Sequence, residues 1–146
     1  MVNLIVSEAR SWIGTKFKHQ GRIKKTKINY GGCDCLGLIM GLGIKTRNGE
    51  LLKLYDITNY PKIISSNDLL DSLNQLLKPV EIRNISIGNI ILIRISGFPQ
   101  HLAIVSELNL HISIIHSYAQ ARKVVEQYLP LEWQKNIVGV YEIKKY

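Results

Sequence analysis

Residues 31–38 read Gly31-Gly32-Cys33-Asp34-Cys35-Leu36-Gly37-Leu38. The paired glycines end the irregular segment before them, and Asp34 is a favoured N-cap. Leu36, Ile39, Met40 and Gly43 then offer one packing face, so the spacing predicts a helix over 35–45. Cys35 falls in its first turn, beside unpaired backbone N–H groups and the positive end of the helix dipole, and both favour thiolate over thiol. That placement presets Cys35 as a nucleophile, with Gly37 keeping the next turn open and Leu36 and Leu38 anchoring the helix in the core. The plain alternative is a small buried apolar side chain, the commoner fate of a cysteine in a globular domain.

Upstream, Ile5, Ala9, Trp12 and Ile13 recur at helical spacing, with Asn3 or Ser7 able to cap and Gly14 able to stop a first helix over 3–14. Lys16, Lys18, Arg22, Lys24, Lys25 and Lys27 follow with no acid between them and are read as a basic loop. Downstream, Asn48-Gly49 and Tyr60-Pro61 are turn signals. From Ser66, the stripe Leu69, Leu70, Leu73, Leu76 and Leu77 predicts a third helix ended by Pro79. Beyond it the pattern turns to β, with strands expected over 90–95, 102–107, 111–118, 123–127 and 137–144 in an antiparallel meander. Helices first and strands afterwards give an α+β class, N-terminal helices packed on an antiparallel sheet of about five strands, in one domain over 1–146.

The chain has 146 residues, 46% apolar and 21% charged, which suits one globular domain with a sizeable core and excludes a disordered chain. Ile occurs 22 times and Ala 4 times, a bias toward β-branched sheet surfaces. A net charge of +8 favours polyanions without choosing among nucleic acid, anionic membrane and anionic cell wall. No apolar run reaches the roughly 18 residues that cross a bilayer. The start MVNLIVSEAR lacks a charged n-region and a full h-region, so the expectation is synthesis in the cytoplasm without a signal peptide. Cys33 and Cys35 are too close to brace a fold, and no second pair completes a structural zinc site.

A nucleophilic cysteine needs an imidazole to take its proton and return it to the leaving amine. His101, in Pro99-Gln100-His101-Leu102-Ala103-Ile104-Val105, stands at the mouth of an expected strand, and His116, in Ile114-Ile115-His116-Ser117-Tyr118, near the end of the next. A hairpin turning near Asn109 makes those two positions neighbours on one face, as a base and its orienter. Strand parity puts His111 on the other face, and His19 belongs to the basic loop. For each histidine the bland alternative is a half-buried, hydrogen-bonded ring.

An Asp-Cys-apolar-Gly-Leu start to a helix, a histidine leading an Ala-Ile-Val strand, and an apolar pair followed by His-Ser, in that order, resemble the NlpC-type papain-fold cysteine peptidases. Lys18-His19-Gln20-Gly21, the Cys33-Asp34-Cys35-Leu36-Gly37-Leu38 core, Ile87-Gly88-Asn89-Ile90-Ile91-Leu92 and Val138-Gly139-Val140-Tyr141 are similar to the subgroup of phage tails and gene-transfer particles. The resemblance covers about residues 9–141 and implies a peptidoglycan endopeptidase cleaving between D-glutamate and a diamino acid. It assigns Cys35 as nucleophile, His101 as general base and His116 as the residue orienting His101, with no metal or cofactor. Phe17, His19, Gln20, Asp34 and Tyr118 are the implied candidates around substrate and oxyanion. Phe17 stands where the family places a tyrosine, Gly88-Asn89 replaces Gly-Asp, and Leu36 replaces a serine, as in the phage-like subgroup. Cys33 is read as a spectator, since residues two apart rarely meet disulfide geometry.

Expected partners are stem peptides and other tail proteins, with a place in a virion or phage-like tail acting on the wall; an ordinary cytoplasmic enzyme fits equally. Two alternatives keep the fold: an amidase or acyltransferase on another substrate, and a catalytically silent tail protein. A nucleic-acid module fits poorly, because Trp12, Tyr30, Tyr55, Tyr60 and Trp133 are scattered rather than gathered beside the basic segment.

Overall fold

The computed structural model describes residues 3–46, 60 and 66–143; the turn expected at Asn48-Gly49, Pro61 and the last position of the final expected strand lie outside them. Of the two candidate caps, Asn3 closes the first helix: its Oδ1 accepts the Ile5 and Val6 N–H groups at 3.0 and 3.2 Å. That helix, α1, is Leu4–Ser11 and ends before Gly14, whose N–H goes instead to the Val124 carbonyl, 3.0 Å away. The expected basic loop contains a small antiparallel ladder, β1 (Arg22–Ile23) with β2 (Gly32–Cys33).

Helix α2 is Cys35–Thr46, with Asp34 Oδ1 accepting the Gly37 N–H at 2.8 Å as an N-cap should. The single packing face expected for it is exceeded, because Leu36, Leu38, Ile39, Met40 and Leu42 are all buried and the helix is covered all round. Small residues permit this. A Cβ on Gly37 would stand 2.1 Å from the Gly21 carbonyl oxygen, and one on Gly41 2.1 Å from the Trp12 ring. Helix α3 is Asp68–Leu76, with Leu69 and Leu73 buried.

Pro79 does not merely stop a helix; it lies inside β3 (Lys78–Val80), an edge strand where its missing N–H costs little. A 3-10 turn at Ile82–Asn84 leads to β4 (Ile90–Ile95), β5 (Phe98–Glu107), β6 (Ser113–Tyr118) and β7 (Lys123–Tyr128). A short helix α4 (Leu131–Gln134) and β8 (Ile137–Glu142) complete the fold. The sheet has six strands rather than about five, all pairs antiparallel, in the order β3-β8-β4-β5-β6-β7. The meander therefore holds only for β4 to β7, and β8 returns to the far side of β4. His111 precedes β6 and is exposed, tilted against Tyr128 at 5.1 Å.

Both sheet faces are buried. Leu92, Leu102, Ile104 and Ile115 pack against α1, α2 and α3, while Ile91, Ile93, Ala103, Val105 and Ile114 form a second cluster that α4 covers through Trp133. Strands buried on both sides read as continuous apolar runs, which is why 90–93 show no alternation. No helix among the described residues is long and apolar enough to cross a membrane.

Gly41→Ala should lower stability by about 1–3 kcal/mol, because the added methyl must displace the Trp12 ring. Urea unfolding checks this, and shrinking the ring with Trp12→Leu in the same chain should recover part of the loss; an unchanged midpoint for Gly41→Ala would contradict the packing.

Candidate active site

Strand β5 begins at Phe98, so His101 lies inside it rather than at its mouth. Ile93 faces His101 and Arg94 faces Pro99, which leaves Gln100 as an extra residue, a bulge of the kind that re-aims neighbouring groups. On its other side β5 meets β6 only from Ile104 opposite Ile115 upward. Below that pair the two strands part, leaving a fork flanked by residues 98–103 of β5 and 116–118 of β6.

The Cys33-Asp34-Cys35 segment fills the fork. Ser117 Oγ on β6 donates to the Cys33 carbonyl at 2.7 Å, and Cys35 Sγ donates to the Gln100 carbonyl on β5 at 3.9 Å. The N–H groups of Leu102 and Leu36 also bear on the sulfur. Across the same fork, His101 Nε2 and His116 Nδ1 are 2.7 Å apart. The sulfur thus lies against the backbone of Gln100 and Leu102, the two residues that flank His101 on β5. Tyr118 stacks on His116 at 5.2 Å, and Trp133 stands edge-on to His101 at 5.2 Å and to His116 at 5.6 Å. Trp133 was not among the expected site residues; it arrives on α4, whose four residues carry no strong helix pattern.

The electrostatics correct one expectation. Burial, joined by the Asp34 charge, pushes the Cys35 thiol up to about 12, and the N–H groups of Leu102 and Leu36 offset only part of that. Cys35 therefore rests as a thiol rather than a thiolate: desolvation outweighs the helix N-terminus. Burial likewise holds both His101 and His116 well below the ordinary 6.5, the neighbouring imidazole adding to the effect on His101. The resting state is a neutral thiol beside two neutral rings. Cys33 is a free, buried thiol pushed up to about 11 by desolvation.

Asp34 is the hub of the approach side. Its Oδ1 accepts from Arg22 Nη1 at 2.9 Å and from the Gly37 N–H, and its Oδ2 accepts from the Gln20 N–H at 2.8 Å and from the Tyr60 hydroxyl. As an acceptor with four protein donors it holds α2 in place and offers nothing to an oxyanion. His19 Nε2 and Gln20 Nε2 are both engaged at the Tyr60 carbonyl, at 3.0 and 2.9 Å, and not at the sulfur. Phe17 is half-buried and bridges Cys33 through its backbone. Tyr60, like Trp133, was missed by sequence reasoning: its hydroxyl bonds Asp34 and receives Arg22 Nη2 at 2.8 Å, from 26 positions away from the carboxylate. Only the spatial partner identifies it. Among the described residues no three His, Cys, Asp or Glu side chains converge as a metal site.

By sequence, the chain matches no family model and no curated protein. By structure it is similar to the NlpC/p60 domain of the peptidoglycan hydrolase SagA (TM-score 0.61, 17% identity, covering 97% of this chain and 100% of that one). It is also similar to a Staphylococcus aureus protein of the NLP/P60 family (TM-score 0.59, 17% identity, 98% of this chain), of which it spans 41%. A third likeness is RipD of Mycobacterium tuberculosis, described as a non-catalytic NlpC/p60 domain protein adapted to peptidoglycan binding (TM-score 0.56, 15% identity, 99% and 100% covered). The chain thus has the α+β, papain-like fold of NlpC/P60 domains.

Because both buried imidazoles resist protonation, the unfolded chain binds protons that the folded one refuses. Their stabilisation is complete above the unfolded value of 6.5 and is lost as pH falls below it toward the depressed folded values. The slope is at most about 1.4 kcal/mol per pH unit for each ring. Melting temperature followed from about pH 7 downward should fall less steeply in His116→Gln than in wild type; equal slopes would refute the assignment.

Proposed function

We propose that this chain is a cysteine endopeptidase acting on the stem peptides of peptidoglycan. The observation supporting the reading is the shared fork: a thiol against the Gln100 carbonyl and the Leu102 N–H, on either side of His101, whose Nε2 is engaged by His116 at 2.7 Å, which leaves Nδ1 as the ring nitrogen to take a proton. Attack by Cys35 Sγ on the scissile carbonyl is coupled to transfer of its proton to His101 Nδ1, which suits a thiol that rests protonated. The tetrahedral oxyanion draws on backbone N–H groups at the start of α2, and imidazolium His101 then protonates the departing amine. Water hydrolyses the thioester, His101 acting as base again. The hydrolase assignment of SagA supports the substrate class.

The finer assignments, a bond between D-glutamate and a diamino acid and a place in a phage or phage-derived tail, are supported by the sequence resemblance of residues 18–21, 33–38, 87–92 and 138–141. A second reading, a silent wall-binding domain, is favoured by the hydrogen bond of the thiol to the Gln100 carbonyl and by the likeness to RipD.

Mass spectrometry of muropeptides after incubation separates the two readings. Wild type should release cleaved stem peptides and Cys35→Ala none. His101→Ala should lose on the order of a thousandfold or more in turnover with the fold intact, and His116→Ala should lose less. Wall binding that is equal in wild type and Cys35→Ala, with no cleavage by either, would establish the silent reading instead.

A further inference from the structure

The His101–His116 pair holds one proton in its bond, and there are two ways to place it. If His116 Nδ1 donates, His101 must carry its own proton on Nδ1 and can take nothing from the sulfur. If His101 Nε2 donates, Nδ1 is a bare lone pair able to take a proton, and the proton of His116 sits on its Nε2. That atom is sealed in the interior, His116 being 0% exposed, and no group meets it with hydrogen-bond geometry. An N–H left in that state forgoes the hydrogen bond it makes to water in the unfolded chain, which favours the other tautomer.

One side chain stands ready to accept it. In the β6–β7 ladder His116 faces Val125 and Ile114 faces Gln127, so Gln127 is the diagonal neighbour of His116 on the same sheet face. It is half-buried, on a flexible side chain. Burial holds the protonation of His116 down, and the Gln127 side chain already pulls against that effect. The other groups around His116 are His101 from β5, Tyr118 from β6, the exposed Lys123 from β7, and the exposed Glu132 and Lys135 flanking Trp133. Glu126 lies on the opposite face of β7, held by Arg10 at 3.0 Å.

We propose that Gln127 is a positioning residue whose side-chain carbonyl accepts the Nε2–H of His116 and thereby keeps the Nδ1 of His101 unprotonated and available to the Cys35 thiol. Its consequence for turnover rests on the peptidase reading, whereas the tautomer is a property of the pair itself. Only one proton moves in the reaction step, from Sγ to His101 Nδ1; the two ring N–H groups of the chain His101, His116, Gln127 stay where they are.

Long-range proton–nitrogen spectra of 15N-histidine protein should show His116 protonated at Nε2 in wild type and redistributed in Gln127→Leu. At about pH 7 the Leu variant should react with iodoacetamide at Cys35 on the order of tenfold more slowly, with kcat for stem peptides reduced similarly and KM unchanged. Gln127→Glu should restore both rates and move the acid limb of the alkylation profile to higher pH, because a carboxylate at Nε2 favours the imidazolium. Wild-type His116 protonated at Nδ1, or a Leu variant with an unaltered tautomer and alkylation profile, overturns the proposal even if stem peptides are cleaved. Ring signals and alkylation that respond to Gln127 in a protein that cleaves nothing support it and defeat the peptidase reading instead.

Discussion

One buried carboxylate sets where the Cys35 thiol stands. Asp34 caps α2 through the Gly37 N–H and, with its remaining lone pairs, gathers Arg22, Gln20 and Tyr60. A capping bond alone is worth about 1 kcal/mol. For a carboxylate that is 5% exposed, Arg22 balances the charge and the other three donors fill its remaining acceptor positions, so loss of any one weakens a buried network. The result is that the first turn of α2, and Cys35 with it, has a fixed position against β5 and β6.

The second constraint is the parting of β5 and β6. A continuous ladder would close the sheet below Ile104 and Ile115 and leave no opening for a side chain. Where the ladder ends early, the Cys33–Cys35 segment takes the space, with Cys35 Sγ at the Gln100 carbonyl and the Cys33 carbonyl at Ser117. The same burial that makes the fork compact decides its protonation. A helix end favours an anion by about 0.3–1 kcal/mol, while taking a charge out of water costs several kcal/mol, so the neutral thiol wins until something arrives to share its proton.

The excess of positive charge is partly consumed in the fold itself. Arg22 is paired with Asp34, Lys24 with Glu8 at 3.1 Å and Arg10 with Glu126, and Lys16 lies over the Tyr30 ring at 4.2 Å. The segment that reads as a uniform basic loop is therefore two things, cations engaged in the fold, Arg22 at Asp34, Lys24 at Glu8 and Lys16 over Tyr30, and a remainder of exposed lysines.

The sequence by itself determined what depends on near neighbours. Asp34 as a cap, Cys35 as the first residue of a helix, and His101 and His116 on one sheet face follow from capping stereochemistry and a two-residue strand period, both of which act over a few positions. The charge state of Cys35, the reach of Tyr60 to Asp34, the edge strand through Pro79, the return of β8 beside β4 and the arrival of Trp133 were decided only by the tertiary structure. Each is a sum over atoms far apart in the chain, desolvation and sheet closure above all, and no local pattern records such a sum.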